Sequence, residues 1–164
     1  MRIHPFVAAL LIGLLGACGT PRPAVSPGPL PPAPAAPALR ATLAAEQARL
    51  AGLFLGTPVV FAMQQDGSLR ATVPRRFGFD AGASKVKPPL AAVLDRLAKG
   101  QLQATSRMRV SAPADPETRG GNLAQDRALS VRDYLIGQGI VAARLQASSA
   151  TQTEQVEIVV SEGH

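Results

Sequence analysis

Residues 122–140 read Asn122-Leu123-Ala124-Gln125-Asp126-Arg127-Ala128-Leu129-Ser130-Val131-Arg132-Asp133-Tyr134-Leu135-Ile136-Gly137-Gln138-Gly139-Ile140. Leu123, Val131 and Leu135 fall on one helical face with Tyr134 beside them. Asn122 is a good N-cap residue, and Gly137 with Gly139 ends the run. Strand patterns flank this helix, Met108–Ala112 before it and Leu145–Ser149 after it. A strand joined through a helix to another strand predicts a parallel pair with a right-handed crossover. The plain apolar run Val156-Glu157-Ile158-Val159-Val160 then reads as the second member of a closing pair with 145–149. Upstream, a helix opens near Pro88, where proline suits the first turn. It would bury Leu90, Val93, Leu94 and Leu97, and Phe77-Gly78-Phe79 reads as a short strand before it. Residues 77–160 therefore spell strand, helix, strand, helix, strand, strand. That order is a two-layer α/β sheet with its helices on one face.

Further out, Leu39, Leu43, Leu50 and Phe54 recur at helical intervals until Gly56 and Pro58 stop them. Val59–Gln64 is apolar and β-branched, Asp66-Gly67 is a hairpin turn signal, and Leu69–Val73 alternates. Residues 39–73 are thus a helix feeding a β-hairpin. Before them, prolines stand at 21, 23, 27, 29, 31, 32, 34 and 37. Proline fixes φ and removes a donor, so this stretch reads as a semi-rigid spacer of roughly 60 Å at about 3.1 Å per residue.

At the start, Met1-Arg2 is positive and Phe6–Gly16 is an unbroken apolar run. Eleven residues fall short of the ~20 that span a bilayer, which is the pattern of a secretory leader. It closes on Leu15-Gly16-Ala17-Cys18, which resembles the lipobox of bacterial lipoproteins. That resemblance implies cleavage before Cys18 and acylation of its sulfur and amino group. Gly19, where inner-membrane retention is associated with Asp, implies the outer membrane, with the domain facing the periplasm. The chain then divides into a signal at 1–17, an acylated Cys18 and Pro/Ala-rich tether at 18–38, the helix and hairpin at 39–73, and the α/β domain at 74–164.

Composition narrows the chemistry. The 164 residues hold one cysteine and two histidines, His4 and His164, at opposite ends. No disulfide framework, multi-cysteine metal site or histidine triad can be assembled from these, so no cofactor or metal is expected. The formal charge is +6 with only 4% aromatic residues. Few rings are available to stack on bases, so anionic head groups or a carboxylate-rich wall suit the charge better than nucleic acid.

The α/β order and three motifs resemble the OmpA-like peptidoglycan-associating domain over residues 77–160. Phe77-Gly78-Phe79-Asp80 with Ser84, Lys87 and Pro88 is similar to the family's opening F-x-F-D and helix start. Leu123-Ala124-Gln125-Asp126-Arg127-Ala128 is similar to L-S-x-x-R-A, and Val156-Glu157-Ile158 to the closing V-E-I. The resemblance implies non-catalytic binding of the diaminopimelate in the peptidoglycan stem peptide, and it implies that Asp115 and Arg127 are the ligand residues. The chemistry suits that ligand, whose free end carries an ammonium and a carboxylate on one carbon. A carboxylate accepts from the ammonium, and a guanidinium can hold the carboxylate in a two-pronged grip.

The sequence also departs from the family. Ala112-Pro113-Ala114 stand where the family has Gly-His-Thr before the aspartate. Asp115 and Arg127 are about three residues closer than usual, the 149–153 loop is short, and Glu154-Gln155 replace paired arginines. Two further readings follow. An envelope complex could use this domain as an accessory subunit, its wall site having decayed. A wall hydrolase would need a carboxylate pair, for which Asp115 and Glu117 are the candidates. Arg75, Arg76, Lys85 and Lys87 read as a solubilising basic face.

Overall fold

The computed structural model describes residues 36–118, 121–150 and 154–163. The leader, Cys18 and most of the proline spacer lie outside them. Four helices, α1 (Ala36–Leu53), α2 (Arg75–Gly78), α3 (Pro88–Gln101) and α4 (Leu123–Gly137), accompany five strands. These are β1 (Val60–Met63), β2 (Leu69–Pro74), β3 (Arg107–Pro113), β4 (Leu145–Ala150) and β5 (Gln155–Ser161). They form one sheet in the order β1-β2-β5-β3-β4. Among the described residues no helix is long and apolar enough to cross a membrane.

Alternation decides the two faces. Leu69, Ala71 and Val73 of β2, Met108, Val110 and Ala112 of β3, and Val156, Ile158 and Val160 of β5 are all buried. In a strand such alternate residues share one face, and here they meet Leu90, Val93, Leu94 and Leu97 of α3 in the core. α4 lies against β3 and β4, and α1 against β1. Helices on one side and a polar sheet face on the other make the expected two-layer α/β arrangement.

The local signals act where the sequence places them. Gly67 takes φ +82 in the hairpin turn, with the Ser68 N–H donating to Asp66 Oδ1 at 2.9 Å. α4 ends in a Schellman motif: Gly139 at φ +95 donates to the Ile136 carbonyl and Ile140 N–H to that of Leu135. β3 and β4 run parallel through α4, pairing Met108 with Leu145 and Pro113 with Ala150. Asn122 occupies the N-cap but makes no side-chain capping bond.

Two expectations are corrected. Phe77–Phe79 is not a strand: Arg75–Gly78 is a helical turn, and only Phe79 is extended. The Phe79 N–H donates to the Arg75 carbonyl at 2.9 Å, which closes this turn on itself directly after β2, and residues 77–79 pair with no strand of the sheet. Likewise β4 and β5 do not pair with each other, because β3 lies between them. The crossover through α4 takes one edge of β3 for β4, and β5 binds the opposite edge antiparallel. There β5 also joins the β1–β2 hairpin to the rest of the sheet.

Candidate functional site

β3 ends at Pro113 and a 3₁₀ turn covers Pro116–Thr118, which leaves Asp115 at the C-terminal end of the strand. α4 opens at Leu123 and presents Arg127 one turn in. The two side chains meet: Arg127 Nη1 is 2.9 Å from Asp115 Oδ1, and Nη2 donates to Oδ2 at 3.1 Å. Both are buried, Asp115 at 3% and Arg127 at 0% exposure.

Burial at that level obliges a guanidinium to find an acceptor for each N–H. Arg127 does so with Nε on the Ala83 carbonyl at 2.8 Å, Nη1 on Pro113 at 2.9 Å and Nη2 on Asp80 at 3.0 Å. With the two contacts to Asp115, five N–H groups have five acceptors. The guanidinium also lies 5.0 Å from the centre of the Phe79 ring. Arg127 therefore ties the 80–83 segment to the end of β3.

Asp115 has further partners that the sequence did not single out. Gly82, at φ +67, donates its N–H to Oδ2 at 2.6 Å. Arg75 Nη1 lies 2.5 Å from Oδ1. In sequence Arg75 reads as part of a basic face because its neighbours are cationic; the hint of its role is its place directly after the last residue of β2. Its companions are engaged elsewhere, Lys87 on Asp80 Oδ1 at 2.7 Å and Arg76 over the Phe77 ring. Glu117 is exposed while Asp115 is buried, so the two acids stand in unlike surroundings.

Burial alone would raise the Asp115 pKa. The Arg127 guanidinium, the Gly82 N–H and Arg75 together outweigh it and hold the carboxyl at about 2, against an ordinary 3.8. Because the folded pKa is the lower one, the resulting stability is complete above about pH 4 and disappears as pH falls through about 2. Its size is about 2 kcal/mol. Urea denaturation at neutral pH and at pH 2 should show that difference shrinking by this amount in Asp115→Asn; an unaltered difference would contradict the pairing.

A carboxyl ionised at all ordinary pH is a poor general acid or base, whose pKa should lie near the working pH. Together Asp115, Arg75 and Arg127 carry one net positive charge. The arrangement suits the holding of charged groups better than the moving of protons at neutral pH. Among the described residues no group of histidine, cysteine, aspartate and glutamate could hold a metal ion. A hollow of about 240 Å³ lies at the other end of β3, lined by Arg107, Arg109, Gln146 and Glu162, away from this cluster.

No protein-family model and no curated protein matches the chain. Solved structures do. A MotB-like protein from Desulfovibrio vulgaris aligns with TM-score 0.61 at 17% identity, over 76% of this chain and 95% of that one. The cell wall anchor of the T6SS from Pseudomonas aeruginosa aligns with TM-score 0.59 at 20% identity, over 71% and 97%. The fold is OmpA-like. The periplasmic domain of Helicobacter pylori MotB adds a third likeness, with TM-score 0.55 at 22% identity over 67% of this chain and 85% of that one. Within this OmpA-like fold, Asp115 after β3 and Arg127 on α4 lie side by side.

Proposed function

We propose that this chain is a non-catalytic peptidoglycan-binding protein whose OmpA-like domain takes the stem-peptide diaminopimelate at a site centred on Asp115 and Arg127. One observation carries the reading. Two residues twelve apart in sequence, each matching a ligand-binding position of the motif, meet in a buried ion pair at the end of β3. An always-ionised carboxylate between two guanidiniums is suited to a zwitterion and unsuited to hydrolysis. One of the structures with this fold is itself described as a cell wall anchor.

The test is co-sedimentation of the full chain with insoluble peptidoglycan. The parent should pellet with the wall, and Asp115→Asn should stay in the supernatant under conditions where both melt cooperatively. Equal pelleting by the two would remove Asp115 from the site.

The anchoring half of the proposal rests on Leu15-Gly16-Ala17-Cys18 and the proline tether. Several acyl chains at about 0.8 kcal/mol per buried methylene hold a protein stably where one would not. An acylated Cys18 would place the domain in the periplasm on a leash from the outer membrane, tying membrane to wall. Labelled palmitate should enter the parent and not Cys18→Ser; equal labelling would contradict the anchor.

A second reading, an accessory subunit of an envelope complex with a decayed wall site, draws on a different observation. Arg127 is saturated by the protein's own acceptors, and Leu53, Leu55 and Val60 are exposed at 55%, 87% and 57%. Cross-linking in cells that captured a protein and no muropeptide would favour it.

A further inference from the structure

We propose that Arg75 is the guanidinium that receives the ligand's carboxylate, and that Arg127 is a positioning residue; the inference rests on the diaminopimelate reading above. Arg127 has no donor to spare. Its five N–H groups meet five acceptors, three of them backbone carbonyls on Asp80, Ala83 and Pro113. A ligand carboxylate could reach it only by displacing one of those acceptors and leaving that group unpaired. Its side chain is also 0% exposed, so the ligand would first have to open the core.

Arg75 differs on each count. A quarter of its side chain reaches solvent, and it uses a single nitrogen, Nη1, on Asp115. Its Nε is buried with no hydrogen-bond partner among the described residues. The part of this side chain that reaches solvent can take an incoming carboxylate with no bond of the protein's own broken. The main chain there is fixed, because the Arg75 N–H donates to the Glu154 carbonyl at 3.0 Å and the Arg75 carbonyl accepts from Phe79. The side chain thus pivots from a fixed root at the start of α2. Electrostatics points the same way: one carboxylate between two guanidiniums leaves a net positive charge, which a ligand carboxylate neutralises.

Roles then divide within one cluster. Arg127 and the Gly82 N–H hold Asp115 in place. Asp115 orients Arg75, and Arg75 meets the ligand as a planar fork that lysine cannot imitate.

Calorimetric titration of the full chain with two probes tests this. One is a stem tripeptide ending in meso-diaminopimelate; the other is the same tripeptide with the distal carboxylate amidated. Losing a charge-assisted bond is worth about tenfold or more in affinity. The parent should prefer the acid probe by about that factor. Arg75→Gln, still melting cooperatively, should bind both probes within about twofold of each other, and Arg75→Lys should fall between. The Arg75 Nε–H resonance of the parent should shift with the acid probe and not with the amide. A full preference surviving in Arg75→Gln, or a silent Nε–H, overturns the assignment to Arg75 while leaving the site standing. Failure of the parent to bind either probe overturns the site itself, and this inference with it.

Discussion

Replacing Arg127 with alanine should lower the unfolding free energy by about 3–5 kcal/mol, the usual cost of removing one member of a buried ion pair. Desolvation sets the size. The side chain is 0% exposed, and its removal takes the donor from the buried Pro113 carbonyl and from the part-buried carbonyls of Asp80 and Ala83. It also removes the cation above Phe79. Asp115 suffers less than these carbonyls, because Arg75 and the Gly82 N–H remain on it. Arg127→Lys should not rescue the loss, since three donors on one ammonium cannot serve five acceptors fixed by a planar fork. Arg132→Ala is the control: that arginine is 37% exposed and pairs with its sequence neighbour Asp133, so it should cost under about 1 kcal/mol. Urea denaturation of the three variants measures all of this. A loss for Arg127→Ala no larger than that of the control would contradict the keystone role.

The second large effect is expected far from the site. Leu50→Ala in α1 should cost about 2–5 kcal/mol, through lost burial and the cavity left behind. Leu43 and Leu50 are 1% and 0% exposed and lie one heptad apart. Between them Gln47 Nε2 donates to the Phe61 carbonyl at 2.8 Å, and Phe54 meets Phe61 with ring centres 5.5 Å apart. One face of α1 thus covers the edge strand β1. A strand edge left bare would expose unpaired backbone groups, so this cover matters beyond its area. The loss should appear within a single cooperative transition monitored by tyrosine fluorescence and circular dichroism. A change within about 0.5 kcal/mol, as for a surface substitution, would mean that α1 is not part of the folded unit.

Much of this architecture could be read from residues alone. Pro88 at a helix start, Asp66-Gly67 in a hairpin and Gly139 at a helix end each act through backbone geometry that is local, so the sequence carries the signal directly. Phe77-Gly78-Phe79 reads as a strand and is not one, because its apolar character reports burial. Whether it joins a sheet depends on where its backbone groups go, and here the Phe79 N–H closes a helical turn on the Arg75 carbonyl. The pairing of β4 and β5 fails because strand neighbours are set by the crossover and not by proximity in sequence. At the site, Asp115 and Arg127 were found because each sits in a motif. Arg75 and Gly82 were not: one contributes a side chain just before the Phe77-Gly78-Phe79 segment, the other a backbone N–H, and neither has a motif of its own. The carbonyls of Asp80, Ala83 and Pro113 are invisible to any reading of side-chain types, yet they decide that Arg127 is saturated.

The most direct measurement is the heat released when a stem tripeptide bearing meso-diaminopimelate is titrated into the natively folded full chain at neutral pH. Saturable binding at one site per chain, abolished in Asp115→Asn, is the expected result. A flat titration from a chain whose melting is cooperative would contradict the binding role at the end of β3.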